Sequence, residues 1–382
     1  MKVLVLGADG YLGWPTCMSL SNKGHEVLAI DNYLRRNLAL EINASQLYET
    51  PNLHQRASNW MAATEKRIDV KIGDICDWNF IAEAFKSFQP DAIVHYAEQP
   101  SAPYSMMSRR SAQLTLHNNI GATANVIFAT REFCPQAHII KLGTMGEYGT
   151  PDIDIEEGWI DIEHKGRSDT FLYPRQAGSL YHTTKIMDTD LLWFYVRTWG
   201  LRVTDLMQGP VYGIHTNESQ MGEGLETCFS YDEIFGTVLN RFIVQAVAGH
   251  PLTVYGKGGQ TRGYLNIKDT LNCIALSLEK PAKQGELRIF NQFTETFSVN
   301  QLADLVIEAA HTVGIDASIY PIENPRKEKE EHYYNPAHTG LLDLGLEPNF
   351  LTEETLVDMI KTVQKHQDSI IHDSIFRGTK WN

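Results

Sequence analysis

The sequence predicts an α/β protein with a doubly wound parallel sheet, and three observations carry that prediction. Short, almost wholly apolar runs recur at 2–6, 26–30, 68–72, 92–97, 138–142 and 201–206, as expected of parallel strands covered on both faces by helices. Segments with helical patterning, at 14–24, 78–88, 117–133 and 181–199, separate several of them and give the alternation of crossover units. Gly7, Gly10 and Gly13 stand between the first strand and the first helix, where a sheet hands over to a helix N-terminus.

That glycine spacing lets the chain turn tightly, brings backbone N–H groups against a pyrophosphate and seats the helix close to the sheet. The second strand ends on Asp31. An acid there accepts hydrogen bonds from an adenosine ribose and repels a 2′-phosphate, so the reading is a Rossmann-like domain that prefers NAD to NADP. Arg35 and Arg36 could instead hold a 2′-phosphate, but Asp31 outweighs them. After the third strand, Asp74 and Ile75 are placed to cup an adenine ring; a plain N-cap for the helix at 78–88 is the competing reading. Asn118 lies near the start of the 117–133 helix, beside the expected cofactor loop.

Between these elements, residues 33–67 form a long polar insertion, and an acidic segment at 151–158 leads into 160–176, read as a flap over the site, with a passive surface hairpin as the equal alternative. Beyond 208 the alternation loosens into a smaller, interleaved α+β unit. Helices are expected at 231–248, 269–278, 299–312 and 355–367, and the runs 252–255 and 264–267 flank a glycine-rich turn. The expected division is 1–207 for the dinucleotide domain, with segments near 231–248 and 264–280 returning to it, and 208–382 mainly for a substrate domain.

The 382 residues suffice for a large core, and 43% hydrophobic with 21% charged residues describes a globular chain. A net charge of −14 argues against nucleic acid or anionic membrane as the main partner. Five scattered cysteines without a C-x-x-C pair suggest neither a disulfide framework nor a zinc site. The first strand follows Met1 directly, leaving no room for a targeting peptide, and no apolar run approaches a bilayer span. A cytoplasmic protein without metal or membrane insertion is expected.

The chemistry is concentrated in Tyr181-His182-Thr183-Thr184-Lys185. Positions i and i+4 share a helix face, so the Lys185 ammonium is expected beside the Tyr181 phenol, drawing its proton affinity down. A phenolate made in this way can take a proton from a sugar hydroxyl while hydride leaves its carbon for nicotinamide. Thr144, at the end of the fifth strand, could share a hydrogen bond with the same oxygen.

The glycine turn, Asp31, Thr144 and the Tyr181/Lys185 pair resemble the extended short-chain dehydrogenases that act on nucleotide sugars. Gly7 to Trp14, Ser101 to Met106, Lys141 to Ile155, Tyr255 to Leu265 and Glu331 to Asn335 are similar to the UDP-sulfoquinovose synthase family across nearly the whole chain. What that resemblance implies is conversion of UDP-glucose and sulfite to UDP-sulfoquinovose with NAD. C4 is oxidised, C5 loses a proton as the C6 hydroxyl leaves, sulfite adds at C6, and C4 is reduced again. The resemblance also implies cofactor contacts at Tyr11, Leu12, Asn32, Arg35, Asn118 and Val211. Substrate contacts are implied at Gln208, Val238, Leu239, Asn240, Arg241, Thr253, Val254, Tyr255 and Arg326, the last suited to a diphosphate.

Related 4,6-dehydratases carry an Asp-Glu pair after the threonine, where this chain has Met145 and Gly146. Glu147 is therefore the candidate C5 base, with His182 assisting; a carboxylate that merely orients the turn is the competing reading. Plant members of the family have an arginine before the Ser-Ala-Pro-Tyr-Ser string, where this chain has Pro100, so its role is either omitted here or supplied by another cation such as Arg109, Arg175 or Arg262. A homodimer or larger homo-oligomer is expected, by analogy with relatives that pair through helices such as 181–199. UDP-glucose 4-epimerase or nucleotide-sugar 4,6-dehydratase is the alternative activity; an NAD sensor without turnover would need neither Tyr181 nor Lys185.

Overall fold

The computed structural model describes residues 1–44, 46–324 and 333–375. Seven strands form the main sheet: β1 (Lys2–Leu6), β2 (Glu26–Asp31), β3 (Ile68–Ile72), β4 (Ala92–His95), β5 (His138–Thr144), β6 (Arg202–Gln208) and β7 (Leu287–Gln292). All pairings are parallel and the order across the sheet is β7-β6-β5-β4-β1-β2-β3. The order reverses at β1 and β4, so the loops leaving their C-terminal ends diverge and open a crevice there.

The apolar run of β1 is explained by where its side chains go. Val3 and Val5 pack on one face of the sheet with Trp14, Cys17 and Ile274, whereas Leu4 and Leu6 pack on the other with Ile81, Phe85 and Val126. Each of these buried side chains contributes about 1.5–3 kcal/mol relative to exposure. Helices α1 (Gly13–Asn22), α2 (Arg109–Phe133) and α3 (Leu180–Trp199) cover the sheet with their neighbours. The start of α2 lies eight residues before the expected one because Ser108 and Ser111 form a reciprocal cap. At α3, the Ser179 hydroxyl accepts the His182 N–H, and Gly200 ends the helix in the left-handed region at φ 69.

A second core joins the helices Val238–Val247, Val299–Thr312 and Glu353–Lys365 to the paired strands Leu252–Tyr255 and Ile319–Ile322. One correction to the expected organisation follows. Helix formation in 231–248 is confined to Val238–Val247, and that helix packs in the second core instead of returning to the main sheet. The helix Ile267–Glu279 packs against α1, and β7 extends the main sheet beside β6. Strand β7 escapes a reading of apolar runs because Arg288, Asn291 and Gln292 interrupt it, as befits an edge strand.

The segment expected to be a flap is an antiparallel hairpin, Trp159–His164 with Arg167–Leu172. The hairpin is largely exposed, rests its Trp159 ring edge-on against Trp193 of α3, and does not line the cavity described next, whereas Gln176 at the end of the same segment does.

Candidate active site

The C-terminal ends of β1, β2, β4, β5 and β6 face a cavity of about 820 Å³, within the range of small-molecule sites. Gly7 turns at φ 80, and a Cβ there would lie 2.7 Å from the Tyr96 carbonyl carbon. A Cβ at Gly13 would meet the Gly7 carbonyl at 2.0 Å, whereas at Gly10 the nearest protein atom is 3.4 Å away and the residue faces the cavity. Gly7 and Gly13 thus serve the packing, and Gly10 leaves room for a ligand to approach the backbone.

Asp31 closes this half of the cavity. Its carboxylate accepts the Asp9 N–H at 2.9 Å and the Tyr33 N–H at 2.7 Å, and burial, with the Asp9 carboxylate adding to it, pushes its pKa up to about 6. Arg36 donates to the Asp9 carboxylate and to the carbonyls of Thr50 and Pro51. Arg56, fully buried and 4.8 Å from the Trp14 ring, is also paired with Asp9. These arginines fasten the polar insertion to the glycine turn, which leaves Arg36 committed and not free for a 2′-phosphate. Arg35 reaches the cavity wall, donating to the Ser230 hydroxyl and lying 3.8 Å from the Phe235 ring centre. Tyr11, Leu12, Asn32, Ile75, Asn118 and Val211 line the same half. Asp74 does not: it is exposed and accepts the Cys76 N–H, while Asp77 caps the following helix. The glycine cradle with the Asp31 carboxylate fits a dinucleotide.

Thr144, Tyr181 and His182 line the same cavity, with the Tyr181 and His182 ring centres 5.2 Å apart. Ser105 accepts the Tyr181 N–H at 3.1 Å, fixing the first turn of α3 against the loop after β4. The His182 Nδ1 lies 3.0 Å from the Ser179 hydroxyl. A side chain at Gly146 would collide with the His182 imidazole, with Nε2 2.4 Å from the Cβ position. The imidazole therefore occupies the space that a carboxylate at position 146 would need.

Two expectations about this wall are overturned. The Lys185 ammonium pairs with Glu98 at 2.5 Å and donates to the Leu142 carbonyl, and Lys185 does not reach the cavity wall. Burial first, and the Glu98 carboxylate next, hold the Tyr181 phenol above its ordinary pKa, with Lys141 opposing them. Glu147, expected as a base, is buried and away from the cavity. It lies 3.6 Å from Lys141 and 3.7 Å from Arg175, and it accepts the Thr144 N–H at 3.3 Å. A carboxylate held by two cations and a backbone donor anchors the turn after β5 and cannot touch a sugar.

At the far end, Gln208, Val238, Asn240, Arg241, Tyr255 and Arg262 line the cavity. Leu239 and Val254 belong to the second core instead. Thr253 is buried behind Arg241, its carbonyl accepting from the guanidinium at 3.3 Å, while Arg241 also donates to the Tyr255 hydroxyl at 3.1 Å. Arg326 lies outside the described residues. Of the three cations expected to replace the arginine missing at Pro100, Arg262 is on the wall, whereas Arg109 and Arg175 are not. Glu98, Asp9 and Tyr334 line the cavity as well and were not anticipated; Glu98 was legible only as part of a polar loop.

Residues 3–291 match the family model described as the NAD dependent epimerase/dehydratase family. The UDP-sulfoquinovose synthase of Spinacia oleracea, whose name marks it as chloroplastic, is 50% identical over 380 residues, covering 100% of this chain and 79% of its own. That of Sulfolobus acidocaldarius is 44% identical over 384 residues, covering 100% and 98%. The chain belongs to the UDP-sulfoquinovose synthase family. Among solved structures, the fold is similar to a UDP-glucose 4-epimerase from Thermotoga maritima, solved with UDP-glucose, with a TM-score of 0.71 at 20% identity over 96% of this chain and 99% of that one. Membership of the UDP-sulfoquinovose synthases gives the geometry its context: Tyr181 of α3, Arg241 and Arg262 line one cavity with the glycine turn and Asp31. No helix among the described residues is long and apolar enough to cross a membrane.

Proposed function

We propose that the protein makes UDP-sulfoquinovose from UDP-glucose and sulfite, with NAD held by the glycine turn, Asp31 and Arg35. The observation that carries this reading is the wall on which Thr144, Tyr181 and His182 meet where a 4,6-dehydratase would place its acidic pair. When bound, NAD accepts a hydride from C4 and later returns it. Tyr181 takes the C4 hydroxyl proton and gives it back, and Thr144 holds the same oxygen. The C4 ketone acidifies C5–H, and His182, in place of Glu147, removes that proton as hydroxide leaves C6. Sulfite then adds at C6 through sulfur, C5 is reprotonated, and water is the net by-product of a redox-neutral cycle. Arg241 and Arg262 meet the negative charge of the UDP group.

Incubation with UDP-glucose, with and without sulfite, and mass spectrometry of the products tests this. A sulfonated nucleotide sugar that forms only with sulfite is the expected product. UDP-galactose or a keto-sugar made without sulfite would favour the epimerase or dehydratase alternative. We further propose a cytoplasmic homodimer formed through α2 and α3. Their aromatic residues interlock, Phe128 lying 5.6 Å from Tyr195 and 5.1 Å from Trp199, while Phe128 and Phe194 remain exposed. Sedimentation of the wild type and of Phe194→Glu tests the pairing, with a shift toward monomer expected in the variant.

A further inference from the structure

Asp9 sits in the glycine turn between Gly7 and Gly10, on the cavity wall and only 4% exposed. Its N–H donates to the Asp31 carboxylate at 2.9 Å. Its own carboxylate accepts two N–H groups of Arg36, one of them at 2.6 Å, and lies 3.3 Å from the Nη1 of the fully buried Arg56. Arg36 also donates to the Thr50 carbonyl at 2.6 Å and the Pro51 carbonyl at 2.9 Å. Four of the five N–H groups of its guanidinium are thus committed within the protein. We propose that Asp9 is a specificity-determining residue for the cofactor: by holding Arg36 it denies a 2′-phosphate its counter-charge, so that Asp9 and Asp31 together, and not Asp31 alone, reject NADP. The proposal rests on the reading of the glycine turn and Asp31 as the dinucleotide site.

A 2′-phosphate is accommodated by an arginine near the end of the second strand, and this chain places Arg35 and Arg36 just beyond it, both on the cavity wall. For Arg36 to turn toward a phosphate, its two-pronged pair with Asp9 must open, and pairs of this kind are among the stronger hydrogen bonds. The Asp9 carboxylate would then stay buried with Arg56 as its one remaining cation, next to a new anion. Asp31 contributes repulsion alone. Asp9 contributes repulsion and also removes the cation that would offset it, which is discrimination built against the wrong ligand. NAD makes neither demand. Arg35 is held differently: it donates to the Ser230 hydroxyl and lies 3.8 Å from the Phe235 ring centre. Its Nη1 is without a partner, so Arg35 is the rival that the test must separate from Arg36.

Titration calorimetry of the full chain, freed of bound dinucleotide, measures NAD and NADP affinity in wild type, Asp31→Asn, Asp9→Asn and the double variant, the last with and without Arg36→Met. Asparagine keeps each shape and removes the charge, and Arg56 retains the Glu226 carbonyl at 2.8 Å. Asp31→Asn alone should raise the NADP-to-NAD affinity ratio only slightly, because Arg36 stays in its pair. The double variant should raise it at least about fivefold beyond the product of the two single changes, and Arg36→Met should abolish that excess. A loss of packing in the turn would weaken both dinucleotides together and leave the ratio where it was. Asp9→Ser, whose hydroxyl can also accept from Arg56, repeats the comparison if the asparagine variant fails to fold. Single effects that merely multiply, or an excess that survives Arg36→Met and therefore belongs to Arg35, would overturn the role given to Asp9. A wild-type chain that binds neither dinucleotide would instead overturn the reading of the cofactor site.

Discussion

Asp31 is the residue whose ionisation bears most directly on cofactor binding. Burial pushes its pKa up to about 6, and the anionic form is the one that accepts ribose hydroxyls. Binding therefore releases a proton, and NAD affinity should rise with pH through about 6; fluorescence titration of the wild type should show this slope and Asp31→Asn should flatten it. Glu147 and His182 separate packing from chemistry. Glu147→Ala removes one buried partner of Lys141 and of Arg175, which keep Asp205 and Asp190, and should cost about 1–3 kcal/mol of stability, read by chemical denaturation. His182→Gln should lose C5 deuterium exchange by about 10²- to 10⁴-fold while C4 oxidation survives. Exchange at the wild-type rate would move the base elsewhere.

Among the elements, the glycine turn makes two positions with the same residue type answer differently. Gly13→Ala drives a methyl into the Gly7 carbonyl and should cost about 1–3 kcal/mol through overpacking. Gly10→Ala meets nothing closer than 3.4 Å within the protein; it should leave thermal stability nearly unchanged yet weaken NAD at least about tenfold, some 1.4 kcal/mol. Calorimetry of the two variants, with and without NAD, checks the contrast. This turn was legible in the sequence because its strand, glycines and acid lie within one short stretch. The Tyr181-to-Lys185 spacing was legible for the same reason. The destination of the ammonium was not, since Glu98 is 87 residues away from Lys185 and helical spacing says nothing about a neighbour from another strand. Glu147 misled because its position after Thr144 is right for chemistry, and only the turn's geometry sends it inward toward Lys141 and Arg175. The early start of α2 and the edge strand β7 were hidden by polar residues whose partners lie in the folded chain.

At the scale of the whole molecule, the two faces of the main sheet and the second unit build separate cores, and the cavity draws its walls from both the sheet and that unit. The return of the helix Ile267–Glu279 and of β7 to the sheet ties the units together at their base, so the sugar end of the site is held against the cofactor end by the chain itself. With an overall charge of −14, the protein as a whole repels an anionic sugar nucleotide, so the proposed function depends on local cations such as Arg241 and Arg262 on the wall. The proposed cycle at C4 is internal, with nothing lost to solvent from that carbon. The measurement that tests it most directly uses UDP-glucose deuterated at C4, with sulfite, followed by mass spectrometry and NMR of the product. A sulfonated nucleotide sugar that keeps the deuterium at C4 is the predicted result; loss of that deuterium, or consumption of the sugar at the same rate without sulfite, would contradict it.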